Sequence, residues 1–166
     1  MPETVDLAPD YPAAVSQDQK RLPPLLRRAW YGLNQAFRQR IGHLGITPDQ
    51  FSILRWLTEG DPQGLTQRAL TDLMASDPNT ITSTLSRMEV AGLVSRLPHE
   101  ADRRARRVRI EQPGVDAFVK ARDIATQLQE QVLGVVPSVR RQKFLEELEA
   151  IADACSAAAE KAHRRK

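Results

Sequence analysis

Between Ser76 and Glu111 the apolar residues change from helical spacing to the spacing of strands, and this switch constrains the fold more than any other feature. Ile81, Leu85 and Met88 recur at three and four residues, as the inner face of a helix does. Asp77 precedes them as a cap for free amides, Pro78 suits the first helical turn, and Gly92 is placed to close the helix. Leu93-Val94-Ser95-Arg96-Leu97 and Val108-Arg109-Ile110-Glu111 then run or alternate as half-buried strands, joined by Pro98 to Ala105. The spacing predicts a helix followed by a long-tipped hairpin.

Asn79, Thr80, Ser83, Ser86 and Arg87 fall on or beside the face opposite Ile81 and Met88, and no large apolar residue is expected there. Short polar side chains let a helix lie deep in a DNA major groove and offer donors and acceptors to bases and phosphates. Taken alone, such a face equally suits plain solvation. The hairpin favours the first reading, because Arg96, Arg103, Arg104, Arg106, Arg107 and Arg109 oppose only Glu100 and Asp102. A basic two-stranded wing suits phosphate contacts and an arginine in the minor groove.

Asp102-Arg103-Arg104 before Val108-Arg109-Ile110, with Met88-Glu89-Val90-Ala91-Gly92-Leu93-Val94 upstream, resembles the MarR family of bacterial winged-helix transcriptional regulators. The likeness extends from about Leu25 to the carboxyl terminus. It implies a DNA-binding homodimer, usually a repressor, in which Asp102 braces the wing and Arg104 enters the minor groove. Many members carry an arginine on the recognition helix where this chain has Ser83. The resemblance also implies a small effector, commonly an aromatic acid or related metabolite, bound between the dimerisation helices and the winged domain.

A chain of 166 residues with 41% hydrophobic residues is long enough for one domain with a real core. The net charge of +3 conceals an uneven distribution: Glu3, Asp6, Asp10 and Asp18 face only Lys20 in the first twenty residues, while arginines crowd the wing. No apolar run is long enough to span a bilayer and the amino terminus lacks signal-peptide features, so the expected location is cytoplasmic. Cys155 is the only cysteine, which excludes an intrachain disulfide, and His43, His99 and His163 have no ligand spacing; no metal site and no cofactor are expected.

In chain order, residues 1–21 read as a flexible arm and 22–166 as a single domain. Leu22 to Leu44 keeps helical spacing. Thr47-Pro48-Asp49-Gln50 has the form of a capping box that starts a second helix, with Phe51, Leu54 and Leu57 inward, and Gly60 to Gly64 ends it. A short helix follows with Ala69, Leu70 and Leu73 inward, and with the helix after Asp77 it makes a helix-turn-helix. After Gln112-Pro113-Gly114 a long helix is expected from about Val115 to 136, with Ala121, Ala125, Leu128, Val132 and Val135 on its core side. The last helix, 138–163, carries Phe144, Leu148, Ile151 and Cys155 at coiled-coil spacing. The fold class is mainly α with a small β-hairpin wing: a winged helix-turn-helix core at about 47–112 plus long dimerisation helices at about 22–44, 115–136 and 138–163.

Asn79, Thr80, Thr82, Ser83 and Arg87 are the expected groove and phosphate contacts, with Arg104 at the wing tip and Arg103, Arg106 and Arg107 as backbone contacts or braces. Trp30, Phe37 and Trp56 form a candidate apolar wall for the effector, with Asn34, Arg38, Arg40 and His43 available for an anion; Arg38 and Arg40 also suit the phosphates of a coenzyme A thioester. The plainer reading makes these aromatics core, the arginines solvated, His43 a helix-terminal residue and Cys155 a buried packing residue. The expected partners are double-stranded DNA with a pseudo-palindromic operator, a second copy of the chain, and a small-molecule effector. A nonspecific architectural DNA-binding protein is the alternative. An enzyme is not expected, since no nucleophile motif or phosphate-cradling glycine loop is legible.

Overall fold

The computed structural model describes residues 21–98 and 106–163. Two compact units are distinguished, residues 1–35 and 36–166, with the boundary inside helix α1 (Leu22–Ile41). In the first unit, Pro23 and Pro24 occupy the opening turn of α1, where a missing N–H leaves no helical bond unmade. Leu22, Leu25, Trp30, Tyr31 and Leu33 of this unit are exposed, the two aromatics at 64% each.

The second unit begins with the last turn of α1, where Phe37 and Ile41 are buried. The helix stops at Ile41, short of the expected Leu44. Gly42–Leu44 instead tighten into a 3-10 turn, and Gly45 closes it at φ 71°, a left-handed conformation that suits glycine. Thr47 and Gln50 make the reciprocal bonds of a capping box at the start of α2 (Pro48–Glu59). Phe51 on α2 meets Phe37 edge-on at 4.9 Å and stacks on Phe118 at 5.6 Å, tying three helices together.

A turn at Gly60–Gly64 leads to β1 (Leu65–Thr66), α3 (Gln67–Leu73), α4 (Pro78–Val90), β2 (Val94–Pro98) and β3 (Arg106–Ile110). Thr66 accepts from the Ala69 amide and caps α3. Leu70 is buried, but Leu73, expected inward, is 42% exposed; α3 ends there, and Met74 packs against the core in its place. Ala75, in the turn to α4, has φ 45° without being glycine.

The sheet is antiparallel in the order β1-β3-β2. Val94 pairs with Ile110 and Arg96 with Val108, while Leu65 pairs with Val108 from the other side. Val108 is therefore central and fully buried. The strand β1 adds an edge that two residues cannot announce by alternation.

Helix α5 (Gln112–Leu133) starts three residues before the expected Val115, because Pro113 falls within its first turn. Phe118, Ala121 and Leu128 are buried and Ala125 packs beside them, whereas Val132 and Val135 are 46% and 87% exposed. Pro137 separates α5 from α6 (Ser138–His163), whose Val139, Phe144, Leu145 and Leu148 are exposed. Cys155 is exposed as well, contrary to its reading as a buried residue. The apolar spacing on α6 is real, but nothing in a single described protomer covers that helix at this position.

Leu93 joins the pieces. Its amide donates to the Met88 carbonyl across left-handed Gly92 while the Gly92 amide donates to Glu89, closing α4, and its carbonyl accepts from the Glu111 amide. A Cβ added at Gly114 would stand 2.2 Å from that same carbonyl. Gly114→Ala is therefore expected to lower stability by about 1–3 kcal/mol through overpacking, read as a lower urea midpoint with an unchanged m-value.

Candidate nucleic-acid interface

Asp77 sets the start of α4. Its carboxylate accepts from the amides of Asn79 at 3.0 Å and Thr80 at 2.9 Å and from the Thr80 hydroxyl. Ile81, Thr84, Leu85 and Met88 are buried, which fixes the rotation of the helix and turns Asn79, Thr80, Thr82, Ser83 and Arg87 outward. Val90, 91% exposed, also lies on that outer side, so the face does carry one large apolar residue at its carboxyl end.

Hydroxyls on α4 bond within the domain. Thr82 donates to the Pro78 carbonyl at 2.7 Å and Ser86 to the Thr82 carbonyl at 3.0 Å. Gln67, at the start of α3, donates its side-chain amide to the Thr82 hydroxyl oxygen at 2.6 Å. Sequence reasoning missed Gln67, because only the folded helix-turn-helix brings a residue fifteen positions away onto Thr82.

Among the described residues, three wing arginines face inward on partners of their own. Arg96 on β2 donates to the Glu89 carboxylate at 2.9 Å and to the Ser86 hydroxyl oxygen at 3.1 Å, bracing α4 against the hairpin. Arg107 donates to the Gly64 carbonyl at 2.9 Å and pairs with Asp61 at 3.4 Å; Arg109 donates to the Gln63 carbonyl at 3.1 Å and to its side-chain oxygen. These last two tie the base of the wing to the α2–β1 turn, and Arg107 accordingly has the geometry of a brace. Arg106 and Arg87 are exposed. Asp102, Arg103 and Arg104 lie outside the described residues.

The candidate effector residues divide between the two units. Trp30 is exposed and Asn34 half-buried in the first. In the second, Phe37 is buried and Trp56 half-buried against the core, Arg38 and His43 are exposed, and Arg40 donates to the Gln131 side chain. Among the described residues no group of three or more His, Cys, Asp or Glu is placed to hold a metal ion, and no helix is long and apolar enough to cross a membrane.

Two helices joined by a tight turn, the second flanked by an antiparallel hairpin, define a winged helix-turn-helix domain. Residues 44–105 match the family model described as MarR family, so this segment is a winged helix-turn-helix domain of the MarR type. It is 28% identical over 127 residues to transcriptional regulator HosA of Escherichia coli O127:H6, covering 74% of this chain and 93% of that protein. The Staphylococcus aureus MepR–DNA complex has a TM-score of 0.75 at 17% identity, covering 82% of this chain and 99% of that one. The Mycobacterium tuberculosis regulator MOSR in complex with DNA has a TM-score of 0.65 at 28% identity, covering 80% and 96%.

Three carboxylates at this face are held below their ordinary range. The Thr80 hydroxyl, followed by the backbone amides, lowers Asp77; the Gln63 amide and then Arg107 lower Asp61; the Arg96 guanidinium lowers Glu89. A carboxylate depressed in the folded state stabilises above its unfolded pKa and loses that contribution as pH falls through the folded value. The urea midpoint is thus expected to decline below about pH 4, and Asp77→Asn to flatten part of that decline.

Proposed function

We propose that the protein is a homodimeric, sequence-specific DNA-binding regulator, acting in the cytoplasm as a repressor. The observation that carries this reading is the outward face of α4, which holds Asn79, Thr80, Thr82, Ser83 and Arg87 in a helix fixed at both ends by the Asp77 cap and the Gly92 closure. In the proposed mode each protomer lays α4 in the major groove of one half-site, with half-sites about one helical turn apart. Arg87 and Arg106 take backbone phosphates, and Arg103 and Arg104 at the wing tip reach the backbone and the minor groove. MOSR, 28% identical, is a regulator solved with DNA, which supports the same assignment for this chain.

Dimerisation rests on apolar side chains that a single protomer leaves open. In the first unit these are Leu22, Leu25, Trp30, Tyr31 and Leu33; in the second they include Val132, Val135, Phe144 and Leu148. Helical faces of this kind are ordinarily covered by another helix. Sedimentation at micromolar concentration is expected to show a dimer, and a stable monomer would remove the architecture.

Selection of duplexes from a random pool is expected to enrich a pseudo-palindrome, bound at least ~10³-fold more tightly than scrambled DNA at the same salt. Arg106→Ala should reduce the magnitude of the salt slope by ~1 per protomer while leaving base preference unchanged. Equal affinity for selected and scrambled DNA would point to an architectural protein instead.

Modulation by a small anionic metabolite, an aromatic acid or its coenzyme A thioester, is the finer part of the proposal. It follows from the family resemblance and from Arg38 and Arg40, two guanidinium groups in the last turn of α1. Benzoate and benzoyl-CoA serve as probes: at least one is expected to shift operator affinity in the wild-type protein and not in Arg38→Ala/Arg40→Ala. No shift with either would remove this part alone.

A further inference from the structure

The hydroxyl groups of the recognition helix carry a constraint that their residue types do not show. A threonine or serine hydroxyl has one hydrogen to donate and two lone pairs to accept with. A backbone carbonyl can only accept, so the contact between Thr82 Oγ1 and the Pro78 carbonyl at 2.7 Å commits the Thr82 hydrogen to that carbonyl. Gln67 must then offer its amide nitrogen to Thr82 Oγ1, at 2.6 Å, and this occupies one of the lone pairs. A single acceptor site remains on an exposed side chain.

Ser86, one turn later, repeats the arrangement. Its hydrogen goes to the Thr82 carbonyl at 3.0 Å, and one lone pair receives the Arg96 guanidinium at 3.1 Å. The Thr80 hydroxyl donates to the Asp77 carboxylate, which, ionised, can only accept. Three hydroxyls of α4, those of Thr80, Thr82 and Ser86, thus meet an incoming ligand as acceptors.

DNA phosphates offer only acceptors, as do guanine O6 and N7 and thymine O4; the major-groove donors are the amino groups of adenine N6 and cytosine N4. We infer that Thr82 reads a base rather than a phosphate, and that it selects the strand carrying the amino group, with Gln67 as the positioning residue that fills one lone pair and so orients the one left open. Every base pair has one such amino group in the major groove, on adenine or on cytosine. Thr82 therefore distinguishes adenine or cytosine from guanine or thymine at one position of each half-site and does not separate adenine from cytosine. This rests on the reading of α4 as the DNA-recognition helix.

The test uses the full chain, selected duplexes and all four base pairs at each half-site position, for wild type, Thr82→Val, Thr82→Ser and Gln67→Leu. In the wild type, one position is expected to favour adenine and cytosine over guanine and thymine by roughly 3- to 10-fold, the range of a single hydrogen bond. Thr82→Val should abolish that preference without changing the salt slope, and Thr82→Ser, which restores the hydroxyl, should keep it. Gln67→Leu should weaken it in the Thr82 background and have no effect on it in the valine background, which a merely structural role would not produce.

A Thr82→Val protein that loses affinity equally for selected and scrambled DNA, with a shallower salt slope, would show Thr82 donating to a phosphate and overturn the inference. Preference for guanine or thymine at the affected position, or no position affected, would overturn it too. Should Thr82→Val fail to fold, the comparison of Gln67→Leu with wild type decides by the same criterion. Absence of any specific DNA binding by the wild type would remove the regulator reading itself, an outcome distinct from a wild type that binds specifically with an unaltered Thr82→Val.

Discussion

The arrangement of the winged core depends on the peptide unit at Leu93. Its amide completes the closure of α4 and its carbonyl receives the first amide beyond β3, so one residue sets both where α4 ends and where the chain returns from the hairpin. The close approach of Gly114 to that carbonyl lets α5 begin directly beneath the sheet. Leu93 itself belongs to the buried core cluster that also holds Leu54, Leu85, Met88, Val94 and Val108. The outward face of α4 is a result: once Ile81, Leu85 and Met88 are buried, the opposite residues have no other direction to face.

Charge in the wing is used differently from what its density suggests. Arg96, Arg107 and Arg109 hold α4 and the α2–β1 turn to the hairpin, and their guanidinium forks are directed at carboxylates and carbonyls of the same chain. Arginine suits such bracing because its planar donors satisfy several acceptors at once. The exposed cations left for a polyanion are fewer, with Arg87 and Arg106 among them. A hairpin braced in this way presents its remaining charges in fixed positions.

Much of the fold was legible in the residues themselves, because caps and apolar periods are local signals. Thr47 with Gln50, Asp77 with Pro78, and Gly92 each occupy the terminal position their chemistry predicts. Boundaries near glycine and proline were less legible: Gly42 shortens α1, and Pro113 lies inside α5 where it read as punctuation. The two-residue β1 has no period to detect, and Leu73, Val132 and Val135 have inward spacing with nothing placed to cover them. In the site, the outward residues of α4 follow from helical geometry, but the partners of Gln67, Arg96, Arg107 and Arg109 do not. Those contacts join positions 7 to 46 residues apart, and sequence states a charge without stating what it meets.

Ala75 gives the turn between α3 and α4 a character of its own. An alanine at φ 45° sits where its Cβ crowds the backbone, a cost of about 1–2 kcal/mol that glycine would avoid. Glycine would in turn give the unfolded chain more conformations to lose, so relief of strain and gain of disorder oppose each other at this position. With a side chain present, fewer backbone states are open to the turn, and the two helices meet as a stiff corner instead of a loose hinge. An alanine there holds the angle between α3 and α4 within a narrower range than a glycine would.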